Sequence, residues 1–287
     1  MSEEKQRFYD FSSGAGGNII HFVRRYNDCG FIEAINILKK YANITDDSER
    51  TITRLESTKI AKKFKCKKTN STELKSIILP PSYMERYDFD VNKLQAWVDE
   101  GITLEIMRKF DVRYDSFSNR IVFPIKNYNG DIINVCGRTL EENFKEKGLR
   151  KYTYFKQFGG SLDTLFGFSD NKQDILEKRE IIIYEGSKSV MLAHSWGIRN
   201  TSAILTSHLN PQQFLFLVGL GKLGVRVVFA LDEDVDISKD VNVEKLKRYV
   251  KVEVVKNQDN LLSAKMSPVD AGYEVWEKLY ERRMSVN

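Results

Sequence analysis

Cysteine is scarce in this chain. Cys29, Cys66 and Cys136 are its three cysteines, and no two stand at Cys-x-x-Cys spacing. An odd, scattered set supports neither a disulfide framework nor a cysteine-based zinc site, and reads as reduced thiols that pack like small apolar groups. Histidine is equally sparse: His21, His194 and His208 lack ligand-like spacing, whereas a structural zinc needs four nitrogen or sulfur ligands. Long apolar runs are missing too. None approaches the roughly 18 residues that would span a bilayer, and the opening MSEEKQRF has no apolar core of signal-peptide type. These absences predict a soluble, cytoplasmic protein with no membrane partner.

What remains is 287 residues, 41% hydrophobic, enough for one large domain or two to three smaller ones. Formal net charge is +5. The excess is concentrated: Lys59, Lys62, Lys63, Lys65, Lys67, Lys68 and Lys75 share their stretch with a single acid, Glu73. Such a run attracts phosphates, though a solvated linker has the same composition.

Residues 8–42 read as a small unit. Gly14, Gly16 and Gly17 suggest a turn, Asn18 an N-cap, and Ile19, Ile20, Phe22 and Val23 an apolar helix face. A second helix is expected from about Phe31 to Tyr41, and residues 43–80 form a polar linker ending in Pro80-Pro81. Helices are expected around Leu94–Val98 and over 101–110. The stretch 120–138, RIVFPIKNYNGDIINVCGR, alternates as a β-hairpin turning at Asn129-Gly130. Pro124 within its first arm argues for an edge or bulged strand. From about 180 the pattern changes to strand–helix alternation: strands at 181–184, 203–205, 225–231 and 252–255, and helices at 188–196, 211–220, 241–249 and 270–282. That alternation implies a mostly parallel sheet covered by helices on both faces. Trp97, Trp196 and Trp276, like Tyr152 and Tyr154, are expected to pack internally.

Two of these strands end in acids, at Glu185-Gly186 and at Asp232-Glu233-Asp234. Ligand sites of open α/β sheets lie at the carboxyl ends of strands. In an extended segment Asp232 and Asp234 face one way while Glu233 faces the other. Together with Glu185 they make an oxygen-rich set suited to Mg²⁺, which takes one or two carboxylates, waters and substrate phosphates. Crowded carboxylates repel and need a cation.

Glu185-Gly186 followed by Asp232-x-Asp234 after a buried strand resembles the toprim fold of primases, topoisomerases and certain nucleases. The segment before it narrows the resemblance. Arg120-Ile-Val-Phe-Pro-Ile125, Gly130, Cys136-Gly137-Arg138, Lys151-Tyr152 and Leu165-Phe-Gly-Phe168, in that order, resemble DnaG-type DNA primases over about residues 85–270. The resemblance implies an α+β and α/β fold: a small N-terminal helical unit, a mixed basic subdomain, and a toprim subdomain with a mostly parallel sheet. It implies the boundaries 1–43, 44–80, 81–178 and 179–287 for ribbon remnant, basic linker, N-terminal catalytic subdomain and toprim subdomain. It also implies synthesis of RNA primers on single-stranded DNA from ribonucleoside triphosphates. Glu185, Asp232 and Asp234 would hold Mg²⁺ or Mn²⁺, with Asp270 as a further acid. Arg120, Arg138 and Lys151 would bind DNA or nucleotide phosphates, and a replicative helicase or initiator would be a partner. The alternatives are a toprim nuclease and a catalytically weak DNA-binding or helicase-recruiting subunit.

Departures from the family pattern accompany the likeness. Phe8–Gly17 resembles the second half of the primase zinc ribbon, with Asp10 and Ser13 where cysteines would stand and only seven residues before Phe8. No structural zinc is therefore expected. Ser189 stands where the family has an aspartate, and Lys265–Asp270 replaces an Asp-Pro-Asp element. The ending near 287 leaves no room for a helicase-binding region, as in a primase of phage or mobile-element origin.

Overall fold

The computed structural model of the protein describes residues 7–10, 15–27, 29, 31–41, 78–155 and 163–286. The chain divides into two compact units, 1–70 and 71–287.

In the first unit, β1 (Arg7–Asp10) and β2 (Ala15–Asn18) pair antiparallel, Arg7 opposite Asn18. Gly16 and Gly17 thus lie within a strand instead of a turn, opposite Tyr9 and Phe8, because their backbone groups are used in the ladder. Asn18 caps α1 (Ile19–Tyr26) as expected, its side chain accepting from the His21 backbone N–H at 3.1 Å. The second helix, α2 (Phe31–Tyr41), follows. The linker expected over 43–80 falls outside the described residues up to 77.

The second unit holds two sheets. Helix α3 (Val91–Asp99) is capped by Asp90 and α4 (Leu104–Lys109) by Thr103. The antiparallel sheet runs β3 (Arg113–Asp115), β4 (Arg120–Lys126), β5 (Ile132–Thr139), β6 (Tyr152–Tyr154), in that spatial order. The β4–β5 turn forms where Asn129-Gly130 foretold it: Gly130 has φ +95° and the Asn127 side chain accepts from the N–H groups of Asn129 and Asp131. Pro124, however, sits in an interior strand. It is tolerated because β3 pairs only with Arg120, Ile121 and Val122, so the position of the missing N–H lies past the end of β3. A register shift follows directly, at Ile125/Lys126.

The second sheet has the order β11-β10-β9-β7-β8. Strands β7 (Glu180–Tyr184), β8 (Thr201–Ala203), β9 (Arg226–Phe229) and β10 (Val252–Val254) are mutually parallel, and β11 (Met284–Ser285) adds an antiparallel edge. Helix α5 (Phe168–Lys178) precedes β7, and between the strands run α6 (Ser187–Ser195), α7 (Pro211–Lys222), α8 (Val241–Leu246) and α9 (Tyr273–Glu281). An Asn210/Gln213 capping box starts α7. The last helix begins three residues later than expected because Pro268–Ala271 forms a 3₁₀ turn and Gly272, at φ +93°, breaks the chain direction.

Alternate residues of β7 explain why its sequence is apolar throughout. Ile182 and Tyr184 enter one core with Val190, Met191 and Trp276; Ile181 and Ile183 enter another with Leu217, Leu220 and Leu246. The first core also takes Leu94, Trp97, Ile121 and Phe123 from the antiparallel half, so both sheets share one interior. Trp97 and Trp276 are buried there, and Trp196 packs at its margin. Among the described residues no helix is long and apolar enough to cross a membrane.

Candidate active site

Strands β7 and β9 are hydrogen-bonded neighbours, with Ile183 opposite Phe229 and the Ala230 N–H donating to the Ile183 carbonyl at 2.8 Å. Glu185 leaves the end of β7 and Asp232 follows the end of β9, so adjacency of two parallel strands brings acids 47 positions apart into one neighbourhood. Glu185 Oε2 is buried without a hydrogen-bond partner. Burial, then the charges of Asp232 and Asp234, push the Glu185 carboxyl up to about 7. Burial, then Asp270 and Asp234, push Asp232 up to about 6, against the pull of Lys151 and Lys188. Two carboxylates at such values favour a proton or a cation between them.

The third acid arrives differently from the sequence argument. Residues 233–234 form a turn closed by the Val235 N–H on the Asp232 carbonyl at 2.9 Å, and the Glu233 N–H donates to the Met266 carbonyl at 3.0 Å. Strand alternation therefore does not apply, and Asp234 is exposed, acting on the pair through its charge. Asp270 is already engaged: it accepts from the Ser267 backbone N–H at 3.2 Å and pairs with Lys188 Nζ at 3.3 Å. Beside it the buried Ser189 hydroxyl donates to Ser267 Oγ at 3.1 Å, so two neutral groups fill a place next to the acids.

Among the described residues no three Asp, Glu, His or Cys side chains form a ready-made metal cage. Mg²⁺ does not require one, since it commonly keeps waters and binds through one or two carboxylates plus phosphate oxygens. The unpartnered Glu185 oxygen and its acidic neighbour Asp232 fit that mode. A cleft of about 240 Å³, lined in part by Asp232, Glu233, Asp236, Lys256 and Asn257, opens beside Asp232.

The expected cations separate into two kinds. Arg138, on β5 opposite Tyr152, reaches Glu100 with Nη2 at 3.8 Å, and its buried Nε has no partner. Lys151, just before β6, is held below its ordinary value by burial and by repulsion from Arg138 and Lys188. Lys151 lies in the field of Glu100 and Asp270. Arg120 is spent otherwise. It is 7% exposed, and its Nη1 donates to the carbonyls of Gly137, Arg150 and Lys151 at 3.1, 3.1 and 3.4 Å. Its guanidinium pins the β5–β6 connection and with it the backbone of Lys151.

Two residues escaped sequence reasoning. Lys188 lies in the first turn of α6 and joins Glu100 at 2.5 Å as well as Asp270. Its signal was present: a lysine at the positive end of a helix dipole needs compensation. Glu100, at the end of α3, offered none.

Residues 82–157 match the DNA primase catalytic core, N-terminal domain family, and residues 1–54 match the CHC2 zinc finger family. The DNA primase of Clostridium acetobutylicum is 25% identical over 82% of this chain and 43% of its own length; that of Halalkalibacterium halodurans is 28% identical over 74% and 40%. The chain spans less than half the length of these curated relatives. Two solved structures share the fold: the zinc-binding and RNA polymerase domains of the Aquifex aeolicus primase (TM-score 0.55, 22% identity, 99% of this chain and 75% of that one), and a DnaG primase catalytic domain bound to single-stranded DNA (TM-score 0.55, 16% identity, 71% and 77%). Matches at both the ribbon and the catalytic core, on a shared fold, make the chain similar to DnaG-type DNA primases.

Proposed function

We propose that the chain synthesises short RNA primers on single-stranded DNA by divalent-metal-dependent nucleotidyl transfer. The observation that supports this most is the unpartnered, buried oxygen of Glu185 beside Asp232 at the carboxyl ends of two neighbouring strands. Glu185 and Asp232 would hold Mg²⁺ or Mn²⁺, and Asp234 would add negative charge nearby. The bound ion supplies Lewis-acid stabilisation of charge on the transferring phosphoryl group. Arg138 and Lys151 would orient triphosphate or template phosphates, Arg138 with the planar fork suited to them. Arg120 positions Lys151 through the backbone and does not itself meet phosphate. Single-stranded DNA as template accords with the related catalytic domain bound to it. The subdomain around β7–β10 serves as the toprim-type metal platform, and a helicase or initiator remains the natural partner for a primer-making enzyme.

The test is incorporation of labelled ribonucleotides on single-stranded DNA with Mg²⁺ or Mn²⁺. Products of primer length are expected, and an Asp232→Ala, Asp234→Ala double variant should make none. Undiminished synthesis by that variant would remove the metal assignment. Metal-dependent cleavage of the DNA without synthesis would make the chain a nuclease of the same fold.

For residues 1–54 we propose a ribbon-like unit without a four-ligand zinc site. The segment supplies a single cysteine, Cys29, and a single histidine, His21, against the four ligands a structural zinc requires. Elemental analysis of the purified chain should find well under one zinc per molecule; a full equivalent would refute the proposal.

A further inference from the structure

We infer that Lys188 is a resident cation of the acidic site, filling the place of a second metal ion and limiting the site to one divalent ion. The inference rests on the metal reading above and refines it. Three facts point to Lys188. It stands in the first turn of α6, where the helix dipole disfavours positive charge, yet its side chain is held partly buried, at 24% exposure. Its ammonium bridges acids from two distant segments, Glu100 at 2.5 Å and Asp270 at 3.3 Å. The groups beside it, Ser189 and Ser267, are paired hydroxyls that bring no charge.

The contacts around it carry the consequence. Lys188 is the shared partner of Glu100 and Asp270, and its charge, like that of Asp270, acts on Asp232. Without Lys188, Glu100 keeps among the described residues only Arg138 at 3.8 Å and Asp270 only the Ser267 N–H, so the acid of this pair that acts on Asp232 loses its cation. Crowded, uncompensated carboxylates recruit cations. A lysine cannot dissociate, so the charge it supplies is independent of the metal concentration.

The experiment counts bound Mn²⁺ by titrating the full chain and following free Mn²⁺ by electron paramagnetic resonance. Ions that disappear in Asp232→Asn are assigned to the site. Wild type and Lys188→Arg should each bind one; Lys188→Met and Lys188→Gln should bind two, with circular dichroism confirming the fold. If neither neutral variant folds, Glu100→Gln carries the test: removing one acid while Lys188 stays should weaken Mn²⁺ binding several-fold. An ion count and affinity in the neutral variants equal to wild type would overturn the inference, as would unchanged affinity in Glu100→Gln. Loss of triphosphate affinity with an unchanged ion count would also overturn it, making Lys188 a phosphate ligand. Absence of site-bound Mn²⁺ in every protein would defeat the underlying metal reading and this inference with it.

Discussion

The two halves of the larger unit present charge in opposite ways. In the parallel half, Glu185 and Asp232 sit just beyond strand ends, where the backbone leaves the sheet and a side chain can reach a ligand without a neighbouring strand beside it. In the antiparallel half, Arg120 and Arg138 lie within β4 and β5, with ladder partners on both sides. Position past a strand end makes a charged group available; position inside a strand leaves that to the alternation of side chains. Hence Arg138 is directed toward the acids while Arg120, on the adjacent strand, is consumed by carbonyls.

The sharpest break of this contrast is at the acids. Glu185→Gln or Asp232→Asn should reduce primer synthesis by about two orders of magnitude or more, since metal stabilisation of the transferring group contributes several kcal/mol at about 1.4 kcal/mol per decade. Steady-state incorporation rates at saturating Mg²⁺ measure this, and a less than tenfold loss would place the chemistry elsewhere. The two arginines come next. Arg120→Ala should destabilise the fold by about 3 kcal/mol, because three carbonyls lose a charged donor, seen as a lowered urea midpoint. Arg138→Ala should leave that midpoint nearly unchanged and weaken single-stranded DNA or nucleotide binding by about tenfold, as expected for one charge-assisted contact. Equal stability losses in both would erase the distinction.

A pH series sharpens the acidic side. The folded carboxyls of Glu185 and Asp232 are raised from 4.5 and 3.8 to about 7 and about 6. Between those limits the folded chain binds more protons than the unfolded one. These groups therefore favour folding at low pH and lose that contribution as pH rises toward 7. Without metal, the Glu185→Gln variant should gain stability relative to wild type over that range, and Mg²⁺ should raise the wild-type melting temperature most near pH 7. A metal effect that does not grow with pH would contradict the assignment. The smallest effect belongs to Lys151. Lys151→Ala should reduce the magnitude of the salt dependence of single-stranded DNA binding by about 0.7 in log–log slope, the value for one phosphate contact.

How much of this was legible beforehand follows from the same physics. Helix starts were readable where a cap declares itself, as at Asn18 and Asn210. The parallel strands were readable because burial on both faces forces an unbroken apolar run such as Ile181–Tyr184. The convergence of Glu185 and Asp232 followed from strand-end logic once β7 and β9 were neighbours. The two-residue strand β11 was invisible, being too short to carry a period. Of the two readings Pro124 allowed, the bulge is present as the register shift at Ile125/Lys126, whereas the edge position is not, since no local pattern tells that β3 stops short of it. The use made of Arg120 and the joining of Lys188 to Glu100 depend on contacts 17 to 88 positions apart, which no local pattern encodes.

The interior shared by Trp97, Phe123, Ile182 and Tyr184 has a consequence for dissecting the chain. A chain severed between its two sheets would leave each fragment with half an oily surface open to water, so neither fragment is expected to remain soluble alone. The half bearing arginines and the half bearing carboxylates would have to be made together to be studied.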